Sequence, residues 1–267
     1  MNVFGGQVSS GKAVRGPRGF RGEYGRSGII DMAQFLPNSV LHTLQVYDEE
    51  GCFRVEDLNK DIKKDKGKIV EWLSRSATKH NLASEMTPPE LVDVLPSRHA
   101  LAFQNTRLVN DNMPFLTNDP ITVGFICITF KVTSFEEQVL VSSFDDPDED
   151  FKEIQVSRDT IIIHYGEGEE IIQHMCTEWT TLYIGYHALL HQTLWNYIID
   201  NDPRTIGSFT SKSILGFSPG MAVGSRYDGD YTFKGEISNI EVYHTSGQNS
   251  FPDPVKNIVI SKQLMKL

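Results

Sequence analysis

Short runs rich in β-branched and aromatic residues recur along the C-terminal half of the chain: TTLYIGYH, QTLWNYII, SILGF, GMAVG and YTFKGEISNIEVY, between Trp179 and His244. Each is bounded by Gly, Pro, Asn or Asp clusters that supply turn geometry, the pattern of an antiparallel sheet. Within QTLWNYIID, Trp195, Tyr197 and Ile199 share one face while Leu194 and Ile198 share the other. Both faces are apolar, as in a strand buried between layers, which favours a sandwich over a single sheet with a wet back. Upstream, KIVEWLS with Trp72, His99 to Phe103, a run near Leu108, ITVGFICITFKV and EEQVLVSSF read as further strands. After an acidic loop, DDPDED, come FKEIQVS, TIIIHYG and EEIIQHM. Roughly a dozen strands between Ile69 and Tyr243 predict one sandwich domain. Its expected bounds are 65–267.

The N-terminal part follows other periods. Leu36-Pro37-Asn38-Ser39 followed by Val40, Leu41, Leu44 and Tyr47 gives a start signal and apolar residues at helical spacing. Residues 29–64 thus read as a helical, turn-rich connector, its stripe packed against other copies or docked on its own domain. Before it, GPRGFRGEYGRSG carries Gly16, Gly19, Gly22, Gly25 and Gly28. Glycine at every third place is what a collagen triple helix needs, because only hydrogen fits at its axis. Residues 16–28 therefore read as a collagen-like stalk, and the competing reading is a Gly/Arg-rich flexible linker. So few triplets do not hold together alone, so the stalk implies a homotrimer closed by neighbouring parts. Residues 1–15 read as a flexible, basic anchoring arm.

Composition adds boundaries. With 39% apolar and 10% aromatic residues in 267, the chain buries a real core. A net charge of -10 and a pI near 5.3 argue against nucleic-acid binding. The charge is uneven: Lys12, Arg15, Arg18, Arg21 and Arg26 stand against Glu23 in the first 28 residues. A basic arm on an acidic body suggests anchoring to a capsid or other assembly, or a merely solvated arm. No segment has the features of a secretory leader, no apolar run approaches the ~20 residues of a membrane span, and no Asn-X-Ser/Thr sequon occurs. Three cysteines, Cys52, Cys127 and Cys176, leave one over in any pairing.

The order V-x-W, ALAF, a Trp strand, an IID turn, a VG strand and the closing Phe233 to Tyr243 run, FKGEISNIEVY, carries a family resemblance. It resembles the concanavalin A-like jelly-roll superfamily, within it the laminin-G and pentraxin branch, over about residues 68 to 244. His174 to Thr181, HMCTEWTT, is similar to the pentraxin signature H-x-C-x-[ST]-W-x-[ST], departing at Glu178. The resemblance implies an all-β fold: a two-sheet jelly-roll sandwich head preceded by the short helix and stalk. It also implies a Cys127-Cys176 bridge, against which two buried thiols remain open. In DDPDED, Asp146, Asp148 and Asp150 alternate on one edge and offer the hard oxygens that calcium prefers. The resemblance places Asp150 near one calcium-binding position and Asp228 near another, so Asp148, Asp150 and Asp228 form the expected metal set. Ser225 and Arg226 depart from the family's ligands there, and an arginine opposes a cation. The bland reading is a solvated acidic loop.

Enzyme chemistry finds little support. A jelly-roll glycosidase needs two carboxylates on one strand, as in E-x-D-x-x-E, and no such run exists. Glu136-Glu137 and Glu169-Glu170 alternate across faces. No complete phosphate-loop motif and no HExxH occur, and His187 and His191 in HALLH read as loop residues. Recognition by rim loops fits better: Asn201, Asp202, Tyr227, Asp228, Asp230 and Tyr231 supply carboxylates, an amide and stacking rings on turns. The expectation is a non-enzymatic, trimeric attachment protein with a lectin-like head for a glycan or protein receptor. Its architecture resembles the fibres and spikes of virus-like particles, made in the cytosol and carried on the particle surface. A soluble, extracellular, calcium-dependent pentraxin-like lectin of host defence and a purely structural capsid-surface protein are the alternatives.

Overall fold

The computed structural model describes residues 48–246, apart from 77, 96–97, 115–121, 144–151, 166–167, 189–191, 201, 213–218 and 227. The arm, the stalk with Gly16, Gly19, Gly22, Gly25 and Gly28, and the expected helix lie outside the described residues. In chain order the strands are β1 (Asp48–Arg54), β2 (Ile62–Asp65), β3 (Lys68–Trp72), β4 (Leu82–Ser84), β5 (Glu90–Leu95), β6 (Arg98–Phe103), β7 (Leu108–Pro114) and β8 (Thr122–Val132). They continue with β9 (Gln138–Ser143), β10 (Lys152–Val156), β11 (Thr160–Tyr165), β12 (Glu169–Gln173), β13 (Thr180–Ala188), β14 (Gln192–Ile199), β15 (Gly207–Lys212), β16 (Pro219–Val223) and β17 (Gly235–Ser246).

Two antiparallel sheets result. One runs β15-β14-β13-β8-β17-β6-β5, with β1 also on β17; the other runs β12-β11-β10-β9-β16-β7-β4-β3-β2. This is the all-β two-sheet sandwich that the strand pattern predicts. β17 is its spine: β8 pairs along one flank, while β6 takes Gly235 to Ile237 and β1 takes Asn239 to His244 on the other. Two short strands in tandem thus complete what one long strand does elsewhere.

Side chains alternate as the pleat demands. On β11, Ile161 and Ile163 enter the core, and on β10 Ile154 and Val156 do so. Phe53, Trp72, Phe130, Trp195 and Phe233 are its largest fully enclosed hydrophobic members. Trp195 stacks on Phe209 at 5.6 Å, meets Tyr165 and Tyr186, and donates its Nε1 hydrogen to Ser211 Oγ at 2.9 Å. Its strand has the two apolar faces read from sequence only in part: Ile198 is buried, but Leu194 on the same side is 37% exposed.

Residues 48–64 do not form a connector. β1 and β2 belong to the two sheets, so the sandwich reaches back past the expected boundary at 65. The charged run between them hides a buried anchor. Asp61 is fully enclosed; it accepts from the N–H groups of Glu56 and Asp57 at 2.9 and 2.7 Å and from two nitrogens of Arg75, each at 2.7 Å. The helical turn α1 (Leu58–Asp61) that carries it starts on Asp57, whose carboxylate accepts from Asn59 N–H.

The bridge implied by resemblance is not formed: Cys127 and Cys176 are both buried thiols. On β8, Ile126 and Ile128 enter the core, so Cys127 between them faces the other side of its sheet, near Asn239. Cys176 lies in the core itself, its thiol donating to His174 O at 3.4 Å. A disulfide would have to pass through the sheet.

Candidate functional site

Seven connections meet at one end of the sandwich: β4–β5, β6–β7, β8–β9, β10–β11, β12–β13, β14–β15 and β16–β17, as the antiparallel registers require. They are tied to one another by backbone. Tyr231 O accepts from Val139 N–H at 2.8 Å, Lys234 O from Thr133 N–H at 3.0 Å, and Arg158 O from Cys176 N–H at 2.7 Å. Asp200 Oδ1 accepts from Thr181 N–H at 2.7 Å while Oδ2 lies 3.4 Å from His174 Nε2.

The β16–β17 loop is the most elaborate. Gly224 opens it at φ +86, where a Cβ would sit 2.4 Å from the Phe103 ring and 2.7 Å from Thr106 O, so glycine is required. Phe233 closes it, its ring in the core and its N–H on Gly224 O at 2.8 Å. Between these posts Asp228 Oδ1 accepts from Asp230 N–H at 2.9 Å, an Asx-type turn. Tyr231, at φ +51 and 52% exposed, stands outward. Arg226 turns back from the loop onto Glu153 of β10, with Nε 3.0 Å from Oε2 and Nη2 2.7 Å from Oε1. The same guanidinium lies 4.4 Å over the Tyr231 ring. Hydrogen bonding to Glu153 raises the arginine's pKa further, so its charge is permanent.

Beside this loop lies an open groove of about 630 Å³ whose lining includes Ala102, Gln104, Thr133, Phe135, Glu136 and Glu236. Phe135 is 77% exposed, and the Arg158 guanidinium sits 4.0 Å from the centre of its ring. Lys234 Nζ donates to Glu136 Oε2 at 2.8 Å, and that bond lowers the carboxyl's pKa. Ile206, Met175, Phe135, Tyr231 and Met86 stand on five different rim connections. They are five of the seven large hydrophobic side chains exposed among the described residues.

Of the residues singled out from sequence, Asp228, Asp230 and Tyr231 come together in the β16–β17 loop. Asp202 is at the same rim but is occupied: it caps the 3-10 turn Pro203–Thr205 and binds Arg204 through both oxygens, which pushes its pKa down to about 2. Asn201, Tyr227, Asp148 and Asp150 lie outside the described residues. The strands flanking Asp148 and Asp150 meet at the opposite end of the sandwich from Asp228. Among the described residues no group of three His, Cys, Asp or Glu side chains is arranged to hold a metal. His187 is a strand residue of β13.

Sequence reasoning passed over Phe135, Arg158 and Glu153. A phenylalanine in the polar turn TSFEE is a readable signal, because a short polar connection offers little to bury it. Glu153 has none: KEIQV alternates like a strand with a wet face, yet all five of its residues are buried and Arg226 arrives from a distant loop to pair with the glutamate.

No family model matches the sequence, and no curated protein aligns with it. Solved structures do resemble it in fold. Domain 4 of an extracellular GH43 arabinanase from Geobacillus stearothermophilus, in complex with arabinotriose, superposes with a TM-score of 0.50 at 11% identity, over 80% of this chain and 98% of that one. The botulinum neurotoxin serotype D binding domain gives 0.49 at 10%, over 81% and 52%. The serotype D/C binding domain gives 0.47 at 11%, over 81% and 52%. The chain spans about half the length of those two toxin structures. The protein is thus a two-sheet antiparallel β-sandwich. It shares that architecture with the arabinanase domain at a level of identity that speaks for the fold alone.

Proposed function

We propose that the chain is a non-catalytic recognition protein that holds a glycan at its loop rim. The observation that carries this is the pair of exposed rings, Phe135 lining the groove and Tyr231 on the neighbouring loop, each backed by an arginine. A ring fixed by a cation on one face presents the other to the C–H face of a sugar, while neighbouring carboxylates, amide and hydroxyls take its hydroxyl groups. The lack of an E-x-D-x-x-E run supports the absence of hydrolysis.

In the fuller form of this reading, Gly16 to Gly28 wind three copies into a stalk and the basic arm anchors to a capsid or similar particle. Three heads on one stalk multiply a weak single-site affinity. The period-three glycines and the charge of the arm support it.

The test is glycan-array retention of the full chain, followed by titration of any hit against Phe135→Ala and Tyr231→Ala. Each loss of a ring weakens binding by up to roughly tenfold. Unchanged affinity in both variants counts against the rim, and a monomer in sedimentation velocity counts against the stalk.

A further inference from the structure

We infer that the glycan held at this rim is an uncharged oligosaccharide, and that sulfated, sialylated or uronic acid chains are rejected. This rests on the glycan reading above and concerns its chemical class.

Charge at the rim is already committed. Carboxylates outnumber lysines and arginines in the seven rim connections, and the cations there are engaged. Arg107 pairs with Glu85 at 3.3 Å, Arg204 with Asp202 at 2.6 Å and Lys234 with Glu136 at 2.8 Å. Arg226 is bound through two nitrogens to the enclosed Glu153, and Arg158 lies on the face of Phe135. An anionic sugar drawn to Arg107, Arg204, Arg226 or Lys234 would have to displace a protein carboxylate and leave it without its cation, and one drawn to Arg158 would have to pull that guanidinium from the Phe135 ring. It would also approach the surplus carboxylates, among them the exposed Asp228 and Asp230, on a chain of net charge -10. An uncharged sugar meets neither cost. Its hydroxyl groups donate to those same carboxylates, which are stronger acceptors than neutral oxygens, and its C–H faces cover Phe135 and Tyr231. Two exposed rings on neighbouring loops, joined where Val139 N–H meets Tyr231 O, suit a chain of several units better than a single terminal sugar.

The experiment compares matched pairs on the full chain: neutral hexose and pentose oligosaccharides against sulfated, sialylated or uronic acid counterparts on the same core. Calorimetry at low and high salt reads the affinities. The neutral member binds about tenfold or more tighter at low salt, and the gap narrows at high salt. Asp228→Asn with Asp230→Asn, which keeps the turn's acceptor, also narrows it. Equal or tighter binding of the anionic member, lost in Phe135→Ala, overturns the inference and leaves the rim reading standing. Retention of neither member overturns both.

Discussion

Arg226 and Glu153, 73 positions apart in the chain, form a two-bonded ion pair, and the same arginine lies 4.4 Å over the ring of Tyr231. The pair fastens a surface loop to the middle of a sheet and sets the outward ring in one step. Glu153 has no solvent exposure at its side chain, while Arg226 retains 21%. The carboxylate therefore depends on the arginine.

Arg226→Ala leaves an enclosed, uncompensated carboxylate and costs about 3–5 kcal/mol, measured by urea unfolding. Adding Glu153→Gln removes the stranded charge and recovers a large part of that loss. Arg226→Lys recovers less, since an ammonium lacks the planar fork. A single variant as stable as the parent would show that the pair does not hold the loop.

Gly235 explains the glycine in FKGEISNIEVY. A Cβ there would lie 2.2 Å from Lys131 O on the paired strand β8 and 2.5 Å from the Phe233 ring. Neither the central strand nor the enclosed ring can withdraw, so Gly235→Ala costs about 1–3 kcal/mol or more. Thermal unfolding reads this as a clear drop in the midpoint. Gly67→Ala tests the same substitution where the Cβ meets open space and only the φ of +82 opposes it; its drop is smaller.

Burial, with Asp200 and Asp159 adding to it, pushes the Cys176 thiol up to about 12. Unfolded, a cysteine ionises near ~8.5. Between these values the unfolded chain has released a proton that the folded chain keeps. The contribution is complete below ~8.5 and is lost as pH rises towards 12. Cys176→Ala should flatten that alkaline loss in chemical unfolding at stepped pH. Native protein resists thiol reagents, whereas protein unfolded without reductant takes up three equivalents, one for each of Cys52, Cys127 and Cys176.

Phe135→Ala and Tyr231→Ala lower the unfolding midpoint only slightly, because each exposed ring gives up no more than a cation contact worth about 0.5–1 kcal/mol. Loss of ligand without loss of stability separates recognition from packing. A large fall in stability for Phe135→Ala would mean that its ring is structural.

Legibility divided along the range of the interactions. Strands such as β8, β13 and β14 were readable, because alternation and turn residues are local and the pleat converts them directly into buried and exposed faces. β15, GSFTSK, was not: as an edge strand it needs a partner on one side only, and so carries little apolar signal. β1 was missed for a similar reason. Its charged sequence becomes a strand because β17 offers it an open flank.

The sequence alone determined the all-β class, the two-layer core and the placing of acidic and aromatic side chains on turns, since these depend on neighbours a few residues away. Only the tertiary structure decided which turns share a rim, that Cys127 and Cys176 face opposite sides of a sheet, and that Arg226 is a bolt for Glu153. Those relations join residues tens of positions apart, and the distance between such residues is set by sheet order, which no local period encodes.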